Sequence, residues 1–197
     1  MRARRRLSEF LLVIAASMTA GIVSASPGRF LTTEAFLQQA FTAAVTCGAA
    51  PRSQSLIVSR ELRAQIEAAF DRRFSPLKVE YWSAGPTTAW IFDEIGRTEP
   101  ITIGVAVTDG KVDLVRVLVY RESRGYEVRQ PYFTEQFAGA ALAADSSLDR
   151  HVDGITGATL SVRAVNRAVD LALFLAARSL RPDGTMAYAR ECPGAAK

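Results

Sequence analysis

The stretch that most constrains this chain is Thr108-Asp109-Gly110-Lys111, set between the apolar runs 101–107 (ITIGVAV) and 112–120 (VDLVRVLVY). An Asp-Gly pair tolerates the positive φ values that a two-residue hairpin turn demands. Strands joined that tightly must run antiparallel, with Val115, Val117 and Val119 on one face. Two further strand candidates come just before: residues 78–83 (KVEYWS), followed by the turn pair Gly85-Pro86, and residues 89–95 (AWIFDEI), followed by the polar stretch 96–100. An antiparallel sheet therefore occupies the middle of the chain.

Helical periodicity flanks it. Over residues 32–45, Thr32 or Thr33 is a capping candidate and Phe36, Leu37, Ala40 and Phe41 recur at helical spacing, with Gly48 and Pro51 as the stop. A second helix is expected from about residue 54 to 70, carrying Leu56, Ile57, Leu62, Ile66 and Phe70. After the charged break at 121–127, residues 131–142 hold a short helix or turn and 143–153 are irregular. Residues 160–180 read as a long amphipathic helix, with Val162, Val165, Val169, Leu173 and Leu175 apolar and Arg163, Asn166, Arg167 and Asp170 spaced to face away. The class is α+β, an antiparallel sheet with helices packed on it, expected to cover one side.

At 197 residues with 49% hydrophobic and 22% charged content, the chain suits one folded domain with appendages. The net charge of +4 suggests an acidic partner at first sight. Arg2, Arg4, Arg5 and Arg6 account for the whole excess, so nucleic-acid binding has no compositional support. Those arginines open a tripartite leader: a basic start, the apolar run 10–23 (FLLVIAASMTAGIV), then small residues. This is a secretory signal pattern over residues 1–25, with an uncleaved anchor as the alternative. The remaining divisions are an N-terminal helical segment at 26–76, a sheet-bearing domain at 77–181 and an irregular tail at 182–197. The two cysteines, Cys47 and Cys192, either pair in an oxidising compartment or stand as free thiols, and neither has metal-knuckle spacing.

Immediately before the long helix stands Asp153-Gly-Ile-Thr-Gly-Ala-Thr-Leu-Ser161. Gly157 and Ala158 let the backbone approach a bulky partner, while Thr156, Thr159 and Ser161 gather three hydroxyls near the free N–H groups of a helix start. Such a terminus suits a phosphate. The plain alternative is a capped helix start with no ligand.

From about residue 77 to 178 the chain resembles the FMN-binding domain family, the extracytoplasmic flavoprotein module also found in subunits of Na⁺-translocating NADH:quinone oxidoreductase and of Rnf-type complexes. The carrier is Asp153-Gly-Ile-Thr-Gly-Ala-Thr159, close to the family's flavinylation pattern of an aspartate, two variable positions, a serine or threonine, then Gly-Ala-Thr. The resemblance implies an FMN phosphate site at a helix N-terminus. It makes Thr159 the covalent attachment residue, joined through its hydroxyl to the FMN phosphate by a Mg²⁺-dependent FMN transferase. Thr156, Gly157, Ala158 and Ser161 form the cradle, and Asp153 serves transferase recognition or, more plainly, an Asx-type turn. Glu122, Gly125 and Tyr126 fall where many members carry a Glu-Thr-Pro-Gly-Leu-Gly loop against the flavin. The glutamate and first glycine correspond, whereas the proline and second glycine do not, and an ordinary charged turn is the competing reading. Trp90, Tyr132 and Phe133 are candidate ring neighbours or core residues. His151, the only histidine, stands two positions before the motif as a proton carrier or a surface residue.

No Rossmann or Walker glycine pattern and no Ser-His-Asp arrangement accompanies the motif. The implied function is thus an exported electron carrier bearing phosphothreonyl-FMN, working in the periplasm or on the outer face of the cytoplasmic membrane with a membrane-bound donor or acceptor. Two rivals are a flavin-dependent reductase acting directly on a small acceptor and a non-redox binding module of the same fold.

Overall fold

Both tight turns join strands as the sequence leads one to expect in the computed structural model, which describes residues 28–46 and 50–179. Strands β1 (Arg52–Ile57), β2 (Lys78–Ala84), β3 (Thr87–Ile95), β4 (Pro100–Thr108) and β5 (Lys111–Val119) form one sheet in chain order, each neighbouring pair antiparallel. Asp109 and Gly110 have φ of 51° and 74°, the positive pair a tight hairpin needs. The expected leader, the two cysteines and the tail from 182 onward lie outside the described residues.

β1 corrects the helix expected from about residue 54. Ser59 is the cap: its hydroxyl accepts from the Leu62 N–H at 3.1 Å, so helix α3 spans only Arg60–Phe70. Upstream, the chain pairs with β2 from Arg52 opposite Ser83 to Ile57 opposite Lys78, and Tyr81 donates its hydroxyl to Gln54 Oε1 at 2.8 Å. Adjacent Leu56 and Ile57 fit either period, and a distant strand decides between them. The helix expected over 32–45 is likewise divided, into α1 (Thr33–Ala40), capped by Thr32, and α2 (Thr42–Thr46). Phe41 is turned fully into the core, and the Thr42 hydroxyl bonds back to the carbonyls of Gln38 and Gln39, which bends the chain there.

Helices cover both faces of the sheet, not one. On the first, Tyr81, Trp90, Ile103, Val105 and Val117 pack with Ile66 of α3 and with the long helix α5 (Thr159–Ser179). On the second, Ala84, Ala89, Ala106 and Leu118 receive Phe36 and Phe41. A Cβ on Gly104 would stand 2.8 Å from the Phe36 ring, so the small residues are what admit α1. Val119 also departs from its expected face. A register irregularity between Thr102 and Ile103 inserts Leu118, and Val119 joins the second face while Val115 and Val117 stay on the first.

Between β5 and α5 lie a 3₁₀ turn at Tyr126–Arg129, helix α4 (Pro131–Thr134) and a second 3₁₀ turn at Glu135–Phe137. Of the four polar positions expected to face away on α5, only Arg163 is exposed, the others being half-buried. Arg167 reaches the buried Glu94 carboxylate at 3.0 Å, which Arg72 meets from its other side at 2.8 Å.

Trp90 anchors the first core: fully buried, stacked on Tyr81 with centroids 4.5 Å apart, its indole N–H on Thr88 Oγ1 at 3.0 Å. Truncation leaves a large cavity, so Trp90→Ala is expected to lower unfolding free energy by about 3–5 kcal/mol. Urea denaturation reads this directly, and a loss below about 1 kcal/mol would show the stack to be dispensable.

Candidate functional site

Why α5 begins at Thr159 follows from the turn before it. The Ala158 N–H donates to the Ile155 carbonyl at 3.0 Å, and Gly157 sits at the third turn position with φ of 81°. A turn of this type requires positive φ there, which selects glycine. The Ala158 carbonyl then accepts from Val162 N–H at 2.9 Å and opens the helix. Ala158 thus stands where a cap would, and the Thr156 hydroxyl makes no capping bond to the first turn. The N–H groups of Thr159, Leu160 and Ser161 find no acceptor among the described residues, as first-turn donors lack partners within a helix.

The three hydroxyls of the motif do not converge. Thr156 and Thr159 are exposed, whereas Ser161 is buried with its Oγ 2.9 Å from the Tyr120 hydroxyl. Tyr120 also contacts the Arg124 carbonyl, which can only accept. The Tyr120 proton therefore goes to Arg124, and Ser161 donates to Tyr120. Burial raises the phenol's pKa above its ordinary value, more than the Ser161 contact lowers it, so this donor persists at neutral pH. Gly157, beside Thr159, is exposed, and a Cβ there would meet open space.

The loop at 121–125 is brought against this helix start. Gly125 has φ of 84°, and a Cβ on it would stand 2.9 Å from the Tyr120 hydroxyl, 3.0 Å from Ser161 Oγ and 3.1 Å from Ala158 Cβ. Gly125→Ala therefore combines backbone strain with crowding. The expected loss is about 2 kcal/mol or more of unfolding free energy, measured by chemical denaturation, and a neutral result would remove Gly125 from the interface. Glu122 is engaged on the far side. Its carboxylate accepts from the N–H groups of Arg97, Thr98 (2.6 Å) and Glu99 (3.0 Å) and from the Thr98 hydroxyl (3.2 Å). Partial burial works to raise its pKa, but these donors outweigh it and hold the carboxyl below its ordinary value. Glu122 thus ties the loop to the β3–β4 turn.

Tyr126 and Tyr132 are exposed, whereas Phe133 is fully buried edge-on to Phe137 and Trp90 lies in the core. His151 and Asp153 are both exposed, with Nε2 3.7 Å from Oδ1. The Asp153 N–H donates to Gln136 Oε1 at 2.7 Å, and no Asx-type bond forms from its side chain. Tyr120 and Gln136 carry no local mark in the sequence, because their contacts bridge 41 and 17 positions. Arg163, read from the sequence only as a position facing away from the core, is an exposed cation one helical turn past Thr159. The i, i+4 spacing is its signal.

These elements lie almost wholly within residues 96–173, which match the family model of the FMN-binding domain. That segment belongs to the FMN-binding domain family, a match that supports flavin binding by this part of the chain. No curated protein matches the chain.

The residues at the start of α5 fit the phosphate end of FMN. An exposed hydroxyl on Thr159, three unpaired N–H groups and open space over Gly157 meet an anion's needs, and the first turn holds no acidic residue.

Proposed function

We propose that this protein is an exported electron-transfer flavoprotein carrying FMN as a phosphoester on Thr159, relaying electrons between a membrane redox partner and an extracytoplasmic acceptor. The observation that carries the reading is the placement of Thr159: first residue of α5, exposed, and preceded by a glycine turn that leaves its surroundings open.

In this reading the flavin supplies the redox chemistry and the chain supplies attachment and position. The N–H groups of Thr159, Leu160 and Ser161 and the dipole of a 21-residue helix favour the phosphate charge. Arg163 adds a cation that would oppose the dipole were no anion present. Tyr120 draws the Ser161 hydroxyl inward, leaving Thr159 as the exposed hydroxyl of the first turn. Tyr126 offers an exposed ring at the neighbouring loop. Covalent attachment has its rationale outside the cytoplasm, where a dissociated cofactor would be diluted away. Asp153, exposed and outside the helix, is available to a transferase.

The test is co-expression of the exported full chain with a Mg²⁺-dependent FMN transferase, followed by mass measurement of denatured protein. A gain equal to FMN less one water supports the reading. An unchanged mass, under conditions that label a known transferase substrate, overturns it.

A further inference from the structure

A cavity of about 200 Å³ opens on the side of the sheet covered by α1, lined by Phe30, Gln39, Arg116, Val117, Arg129 and Gln130. None of these residues belongs to the start of α5. Two arginines share this space, and neither forms an ion pair among the described residues. Like charges placed together are unfavourable unless something offsets them.

The two guanidinium groups are held in different ways. Arg116 donates Nε to Gln39 Oε1 at 3.1 Å and one terminal nitrogen to the Val115 carbonyl at 3.0 Å, so its head is fixed while Nη2 stays uncommitted. Arg129 lies over the Phe30 ring at 4.0 Å and 5.5 Å from the Tyr126 centroid. Stacking fixes the plane of a guanidinium without using its N–H donors. Its Nε is enclosed and has no hydrogen-bond partner, and a buried donor of this kind is costly to leave unsatisfied. Two carboxamides, Gln39 and Gln130, add neutral donors beside the charges.

We propose that this cavity is an anion site for a small dianionic oxyanion, separate from the flavin attachment point. Two guanidinium charges in one cavity match two negative charges: Arg129, held by stacking, keeps its terminal donors for a paired contact with carboxylate or phosphate oxygens, and Arg116 offers Nη2. The volume lies below the roughly 300 Å³ at which drug-sized pockets begin, which favours a small dicarboxylate or inorganic phosphate over a nucleotide. Phe30 and Leu31 supply an apolar wall that suits the short carbon spacer of a dicarboxylate.

Calorimetric titration of the full chain with succinate and, separately, with inorganic phosphate tests this and tells the two sources apart. The expected result is saturable one-to-one binding of at least one of them that weakens as sodium chloride is raised. Arg129→Gln and Arg116→Gln should each weaken binding about 10- to 100-fold, the scale of a hydrogen bond to a charged group. Arg129→Lys, which keeps the charge but loses the fork, should fall between. Arg60→Gln on α3 is exposed and should bind as the wild type does. Should Arg129→Gln fail to fold, Arg116→Gln decides the matter. No saturable binding of either probe, or unchanged binding in Arg116→Gln, overturns the proposal. A further arm titrates FMN into Thr159→Ala. Competition between FMN and succinate there would place the flavin phosphate in this cavity and overturn its independence, whereas the mass test on wild type judges the attachment reading alone.

Discussion

Thr159→Ala is expected to abolish covalent flavin completely while leaving the fold intact. The hydroxyl oxygen is the atom that would join the phosphate, and alanine has no replacement for it. Two neighbouring hydroxyls invite the objection that labelling would shift. Ser161 is buried, and its proton is committed to Tyr120, so it cannot present an acceptor oxygen. Thr156 is exposed but precedes the glycine turn, away from the three unpaired N–H groups. Thr159→Ser, which keeps the oxygen, should retain labelling. Stability should change by no more than about 0.5 kcal/mol in Thr159→Ala, because an exposed first-turn threonine makes no core contact. The measurements are intact mass after co-expression with the transferase and thermal unfolding of the same samples. Flavin found on Thr156 of Thr159→Ala would sink the assignment, whereas loss of both flavin and fold would mean that Thr159 has a structural part the packing does not reveal.

What was legible in the sequence divides by the range of the forces involved. The β4–β5 hairpin was plain because Asp109 and Gly110 adopt positive φ for reasons internal to the turn. The start of α5 was plain to within a residue, since Gly157 and the apolar spacing after it act locally. β1 was hidden because its partners stand near residue 80 and its own residues satisfy either period. The second packed face was hidden for a different reason. Ala84, Ala89, Gly104 and Ala106 look like weak strand positions until Phe36 is seen to need the room. In the site, Thr159 and Gly157 could be named from the motif, but the inward turn of Ser161 depends on Tyr120, immediately after β5. Glu122 is a similar case. Its correspondence to a family position drew attention to it, and its carboxylate proves to be bound to a turn that the sequence places 23 to 25 positions earlier.

Asp170→Asn is expected to stabilise the protein at pH 8 and to make no difference at pH 4. Asp170 is half-buried on α5, and its Oδ1 is enclosed with no hydrogen-bond partner. Burial penalises its charged form and pushes the carboxyl from its ordinary 3.8 up to about 7, with Arg72 opposing the shift. Arg72 is already engaged with Glu94, which Arg167 also serves, so neither cation is free to give Asp170 full compensation. The sign follows from linkage. Below pH 4 both folded and unfolded chains hold the proton and nothing is lost. Between about pH 4 and 7 the unfolded chain releases it while the folded chain keeps it, so stability falls as pH rises, and above 7 the loss is constant. At about 1.4 kcal/mol per unit over roughly three units, it reaches up to about 4 kcal/mol. Carboxyls with lowered values, such as Glu122 and Asp149, give the opposite slope in the wild type. The difference between wild type and Asp170→Asn cancels them and isolates this group. Urea denaturation of both proteins at pH 4, 6 and 8 should therefore show curves that coincide in acid and separate steadily towards alkali, with the variant above. A variant less stable than the wild type at pH 8 would mean that Arg72 holds Asp170 as a carboxylate in the folded chain, and the direction of the pH dependence would reverse.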